Sequence, residues 1–391
     1  MKFCQVTRRT LWTGALSAGI VLTSLVSSAT RATAQPPTGP PVQAKTPGAV
    51  YAMTNEPNGN RVMVFNRAAD GTLTPGAAFA TGGMGSGGFE GSAGGLILTG
   101  QSPDNLGRGN RYLIATNTGS NEISVFAVQQ DELRLLNKVP SGGVQPVSVT
   151  LRKNLVYVLN QASGNIAGFT LGAQGELTPI PGSTRPVTGG GPADTAMIAF
   201  TPNGNVLIVT GKNSNIIDTY VVDKDGVASG PIPNASTGIT PFGFSFTQRG
   251  ELIVAESFQG AMGQGAASSY QVPNTGVLVP ISGPVRNNRS DTCWVVVTDN
   301  NKYAYVTNAM SGDVSSYRVS SDGFLILLQS IAGVTGPITI DEALSDNSHY
   351  LYVRTVNDGK ITSFAVQENG SLTPLQVIGG LPPGAIGLAA R

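Results

Sequence analysis

The chain has almost no cysteine and almost no histidine, with two Cys and one His in 391 residues. Cys4 falls in an N-terminal leader, so Cys293 stands alone in the remainder and no intramolecular disulfide is expected. With His349 as the lone imidazole, in a polar turn (Asp346-Asn347-Ser348-His349-Tyr350), the sequence offers no His/Cys zinc cluster and no Ser-His-Asp triad. Charge is sparse as well, at 12% of residues, and no basic stripe marks a nucleic-acid partner. Long helices are disfavoured, because 51 Gly and 25 Pro are scattered along the chain and both are poor in helix interiors. The longest apolar stretch, residues 11–26, is interrupted by Thr and Ser and is short for a transmembrane anchor.

Residues 1–34 read as a secretory signal peptide. Lys2, Arg8 and Arg9 precede the apolar stretch, and Ala32-Thr33-Ala34 forms an A-x-A cleavage site. The run Thr7-Arg8-Arg9-Thr10-Leu11-Trp12 fits the twin-arginine export signal, with an ordinary signal peptide as the alternative. A periplasmic or secreted protein follows. Removing the leader takes away four basic residues and no acidic one, leaving 20 basic against 23 acidic, or −3. Residues 35–48 are Pro-rich and polar, and read as a linker.

From residue 49 onward an internal repeat takes over. Each unit has an apolar strand, a turn of Asn, Ser and Gly, and a strand ending on an aromatic: Phe65, Phe126, Phe169, Tyr220, Tyr270, Tyr317 and Phe364. The spacings are 61, 43, 51, 50, 47 and 47 residues. Short alternating strands at that period predict propeller blades, and seven units predict seven. Asp-Gly or Asn-Gly turns with a further strand follow several units, and an apolar strand precedes most of them, which makes four strands per blade. The first unit has no preceding strand, whereas the chain ends on Gly384-Ala385-Ile386-Gly387-Leu388. The C-terminal strand is therefore predicted to complete the first blade. The expected fold is an all-β, seven-bladed propeller of four-stranded antiparallel blades over residues 49–391.

The segment Tyr305-Val306-Thr307-Asn308 spells the YVTN repeat, and the endings of the type Asp70-Gly71-Thr72-Leu73-Thr74-Pro75 recur. On these motifs the chain resembles the lactonase family of seven-bladed β-propellers, which is similar to 6-phosphogluconolactonase and carboxymuconate cyclase. The resemblance implies a hydrolase that opens or isomerises a lactone or sugar-acid. It also implies a pocket using His and Arg. The corresponding places here read Gln145-Pro146-Val147-Ser148 and Thr240-Pro241-Phe242-Gly243, without His.

In such a blade the start of the innermost strand and the second turn share one face of the disc, where pocket residues are expected. The ends of the second strands place Asn55, Asn117, Asn160, Glu256 and Asn308 at equivalent positions, beside Lys212 and Arg354; the innermost strands add Asp194 and Asp291. Lactone opening needs a carboxylate to activate water and a donor or cation to hold the developing oxyanion. Glu256 is thus the expected base, with Arg289 and Lys212 as electrostatic partners. Asn55, Asn117, Asn160, Asp194, Asp291, Asn308 and Arg354 form the expected substrate-binding ring. The competing reading is structural: strand-end Asn residues make local turn bonds, and channel charges pair with each other.

Three further features carry expectations. Asp341 and Glu342 are adjacent in an apolar strand, should point to opposite faces, and are assigned a structural role between blades. Gly83-Met84-Gly85-Ser86-Gly87-Gly88 fits a dinucleotide glycine pattern but lacks the strand and helix around it, and reads as a flexible connector. His349 aligns with Lys302 and is expected at the surface, on the face away from the pocket. No cofactor and no metal is expected. The functional alternatives are an exported lactonase-like enzyme and a non-catalytic propeller that binds a small molecule in its central channel or a protein partner, in either case as a monomer.

Overall fold

The computed structural model describes residues 47–99, 112–129, 132–189 and 194–391; the leader and residues 35–46 of the linker lie outside them. Seven antiparallel sheets stand in a ring, each running from an inner to an outer strand in chain order. Blade 1 is the exception and takes its inner strand, Ile386–Ala390, from the C-terminus, followed by Gly48–Met53, Arg61–Arg67 and Leu73–Ala80. Blades 2 to 7 span residues 96–140, 146–186, 195–235, 241–286, 292–334 and 339–378. Ring closure by the last strand is as expected from sequence.

The repeat residues are what join blade to blade. All seven closing aromatics are at most 1% exposed. Second-strand tyrosines then staple blades 3, 6 and 7 to the next: the hydroxyls of Tyr157, Tyr305 and Tyr352 donate to the carbonyls of Gly226, Gly370 and Gly71, at 2.7, 3.0 and 3.0 Å. Those carbonyls belong to the Asp-Gly or Asn-Gly turns of the following blade. The turn must be Gly for two reasons. Gly71 and Gly370 have φ of +88° and +82°, and a Cβ there would fall 2.3 and 2.5 Å from the rings of Tyr350 and Tyr303.

The inner strands share one irregularity. Their pairing with the second strand slips by a bulge in blades 3 to 7, next to residues such as Pro146, Pro241, Thr292 and Ile340. An extra residue at that point re-aims the side chains around it. This controls what lines the axis.

The Gly-rich connector from blade 1 to blade 2, residues 81–95, is pinned as a strap across the axis. Gly85 and Gly87 N–H groups donate to the Glu56 and Asn55 carbonyls, Ala93 N–H to Ala196, and the Gly94 and Gly95 carbonyls accept from Val149 and Thr116. Phe89 and Ala93 of the strap pack with Ala196, Phe242, Trp294 and Ile340, near the starts of the inner strands of blades 4 to 7. The flexible connector expected from the glycine pattern is thus a hydrogen-bonded plug, and its glycines permit the close approach to neighbouring backbone.

Candidate active site

The strap closes the axis at the end where the sequence placed the pocket. Below it lies an axial cavity of about 440 Å³ that opens among the turns between first and second strands, with Gln248, Asp299 and Asp346 at its rim. This is within the roughly 300–1,000 Å³ of small-molecule pockets. Its wall is mostly apolar, built by the ends of the inner strands: Leu98, Leu151, Phe200, Phe246, Val297 and Leu344. His349 follows the lining residue Ser348, so it lies on the cavity's face of the disc, not away from it.

Into this apolar cavity come Asp341 and Glu342 together. Simple strand alternation would separate them. The bulge between Ile340 and Glu342, with Asp341 at φ +35°, breaks the alternation and lets both adjacent residues line one cavity. Asp341 Oδ2 accepts from Arg354 Nη2 at 3.0 Å and from the Gly387 N–H at 2.9 Å, tying blade 7 to the closing strand. Glu342 is buried, and neither of its carboxyl oxygens has a hydrogen-bond partner. Burial, and then the neighbouring Asp341 charge, push its pKa well above the usual carboxyl value. Burial therefore favours the protonated form of Glu342. Trp294 Nε1, also buried and unpartnered, belongs to the same lining.

None of the ten residues expected from sequence to contact substrate lines this cavity. Glu256 is fully buried, with Oε1 accepting from the Gly238 N–H at 2.9 Å and Ser268 Oγ at 2.7 Å. Neither Lys212 nor Arg289 is among its partners. Arg289 forms an ion pair with Asp313, and Lys212 Nζ donates to the strap carbonyl of Gly91 at 2.5 Å and lies over the Phe242 ring. The Asn residues equivalent to Glu256 do the same latching work. Asn117 accepts from Thr81 Oγ1 at 2.6 Å and donates to Ser124 Oγ at 2.8 Å; Asn308 accepts from Asn287 Nδ2 and donates to Ser315 Oγ, both at 2.8 Å. Asn160 donates to the Ser141 carbonyl at 3.2 Å, and Asn55 to that of Gly88 at 2.8 Å. Each holds an incoming connector onto its blade. Asp194 caps the turn at Asn213 and Ser214, Asp291 Oδ1 accepts from Cys293 Sγ at 3.2 Å, and Arg354 is wholly buried against Asp341.

Arg354 Nε and Nη1 have no hydrogen-bond partner, and burial lowers the pKa of the guanidinium. Arg354→Met would strand the Asp341 carboxylate. A loss of about 3–5 kcal/mol is expected in urea unfolding, and the double variant with Asp341→Asn should recover part of it. A double variant no more stable than Arg354→Met would show that the pair is not what Arg354 supplies.

Two more buried acids set a pH dependence. Burial raises Glu90, in the strap, to about 7, against hydrogen bonds from Ser86 Oγ and Thr118 Oγ1 that act in the other direction. Burial likewise raises Glu256 to about 7. Both start from 4.5, so between pH 4.5 and 7 the unfolded chain ionises while the native protein stays protonated. Stability therefore falls as pH rises through that window, by on the order of 3 kcal/mol per group. The thermal midpoint should be higher at pH 5 than at pH 8, and Glu256→Gln should narrow the difference. An unchanged difference in Glu256→Gln would rule out this assignment.

The fold and cavity define a closed seven-bladed propeller with an axial cavity of small-molecule size. The family profile described as "Lactonase, 7-bladed beta-propeller" matches residues 50–187, about a third of the chain, so the chain is similar to that family over this stretch. No curated protein matches it. Among solved structures, it is similar to a periplasmic gluconolactonase of Pseudomonas aeruginosa, at 15% identity and a TM-score of 0.67 over 87% of this chain and 99% of that one. A protein from Lactobacillus plantarum gives 19% identity and a TM-score of 0.69, covering 90% and 100% of the two chains. At these identities the likeness is one of fold. No helix among the described residues is long and apolar enough to cross a membrane.

Proposed function

We propose that this propeller opens a small lactone in the axial cavity, with Glu342 as general acid. The observation that carries the reading is a buried carboxyl with no hydrogen-bond partner, on a residue that lines a cavity of ligand size, with burial favouring its protonated form. The lactonase match and the gluconolactonase-like fold support the reaction class. In the proposed step Asp341, held by Arg354 and Gly387, takes a proton from water as the oxygen bonds to the lactone carbonyl carbon. The carbon–oxygen ring bond breaks, and the ring oxygen takes the proton of Glu342. Transfer of a proton between the two adjacent carboxyls restores the starting state. Trp294 Nε1 supplies a neutral donor for the carbonyl oxygen.

Glu256, Arg289 and Lys212, favoured from sequence as the catalytic group, are the second placement. Glu342 is preferred because it belongs to the cavity lining, whereas the Glu256 carboxyl is packed under Gly238, where an added Cβ would lie 2.0 Å from Oε2. Export through residues 1–34 to the periplasm or exterior is part of the proposal and rests on the leader sequence.

A non-catalytic, ligand-binding propeller is the alternative, favoured by one observation: among the described lining residues there is no Lys, Arg or His. Lactone hydrolysis followed by pH-stat over a panel of five- and six-membered rings separates the two. Turnover that depends on Glu342 supports the enzyme; a ligand that raises the thermal midpoint without being opened supports the binding module.

A further inference from the structure

The outer strand of a propeller blade is a sheet edge, with backbone donors and acceptors open to another strand. Natural sheets protect such edges with Pro or charge. Six of the seven outer strands here do so. Pro75 serves blade 1, Glu132, Arg134 and Lys138 serve blade 2, and Pro179 and Arg185 the split edge of blade 3. Blade 4 has Pro231 and Pro233, blade 5 Pro280 and Pro284, and blade 7 Pro374.

Blade 6 has neither. Its outer strand, Leu325–Val334, reads LILLQSIAGV and at 10 residues is the longest among the described strands. Large apolar side chains stand out from it: Phe324, Ile326, Leu328, Ile331 and Val334 are between 40% and 71% exposed. An edge that is long, apolar, uncharged and free of Pro is a pairing surface.

We infer that this edge pairs with the same edge of a second copy, joining two blade 6 sheets across a two-fold axis. Self-pairing is favoured by the strand's own chemistry. Antiparallel alignment sets the Phe324 end of one copy against the Val334 end of the other, so apolar side chains meet apolar ones. With no charge in the strand, no like charges come opposite each other, which would oppose pairing. The same operation on blade 2 would face Arg134 of one copy against Lys138 of the other, and on the other blades it would meet Pro. The proposal departs from the monomer expected from sequence. It does not depend on the cavity or its chemistry.

Sedimentation equilibrium of the full chain tests it. At roughly 50 μM the protein should be a dimer, and Leu328→Lys, which places two cations across the two-fold, should raise the dissociation constant at least about 10-fold. Ile326→Lys is the second arm, in case Leu328→Lys disturbs folding. Val377→Lys, at the exposed outer edge of blade 7, should leave the dimer intact with an unchanged thermal midpoint. A monomer at that concentration overturns the proposal and leaves the edge to a different chain. A dimer unaffected by both blade 6 substitutions overturns it too, by placing the interface elsewhere.

Discussion

Glu342→Gln is expected to lower lactone turnover by about 10²–10³-fold while leaving the propeller folded. Gln fills the same volume and can still donate a hydrogen bond into the cavity. What it cannot do is release a proton to the ring oxygen as the carbon–oxygen bond breaks, so the loss should fall on kcat more than on KM. The pH profile should agree: wild-type turnover declines on the alkaline side, as Glu342 loses its proton, and that limb should vanish from the residual activity of Glu342→Gln. Stability should be retained, because the substitution removes a buried ionisable group that has no protein partner. Turnover within a factor of two of wild type, measured by pH-stat, would remove Glu342 as the acid.

Ending the chain after Gly384 is expected to leave no cooperatively folded protein. The missing strand pairs with Val50 to Met53 and fills the axis side of blade 1, where Ile386, Leu388, Ala389 and Ala390 are all buried. Burial of Ile386 and Leu388 contributes about 1.5–3 kcal/mol each. The strand ladder, the Arg391 N–H to Ala49 carbonyl bond, the Arg67 bond to the Arg391 carbonyl and the Gly387 donor to Asp341 go with them. Total stabilities of about 5–15 kcal/mol do not tolerate that loss together with an open ring. Circular dichroism during heating should show no sharp transition. A truncated chain melting within a few degrees of the intact one would mean that the ring is held by something other than its last strand.

How much of this the sequence carried depended on periodicity. The closing aromatics from Phe65 to Phe364 recur because each must fill the same gap between blades, so blade number, strand order and closure by the last strand were legible. The strap was not. Residues 81–95 have no hydrophobic period, and their glycines speak for backbone approach without saying to what. The bulge at Asp341 was hidden for a related reason: alternation is a rule for regular strands, and one extra residue suspended it where two acidic residues line the same cavity. Glu256 stood out against a ring of Asn, yet it occupies the same latch as they do, with Ser268 and Gly238 in place of Ser124 and Thr81. A chemical departure at a repeat position identified a perturbed carboxyl but not an open one. A signal for Glu342 was present, as a second acid inside an apolar strand, and it was set aside because regular geometry gave it no common space with Asp341.

The placement of the site at the turn end of the axis, under the strap and around Glu342, is tested most directly by a crystal structure with a lactam analogue that resists opening. The expected result is the ring in the axial cavity, with its carbonyl or ring heteroatom within hydrogen-bond distance of Glu342. A ring bound at the opposite face beside Glu256, with the axial cavity empty, would contradict it.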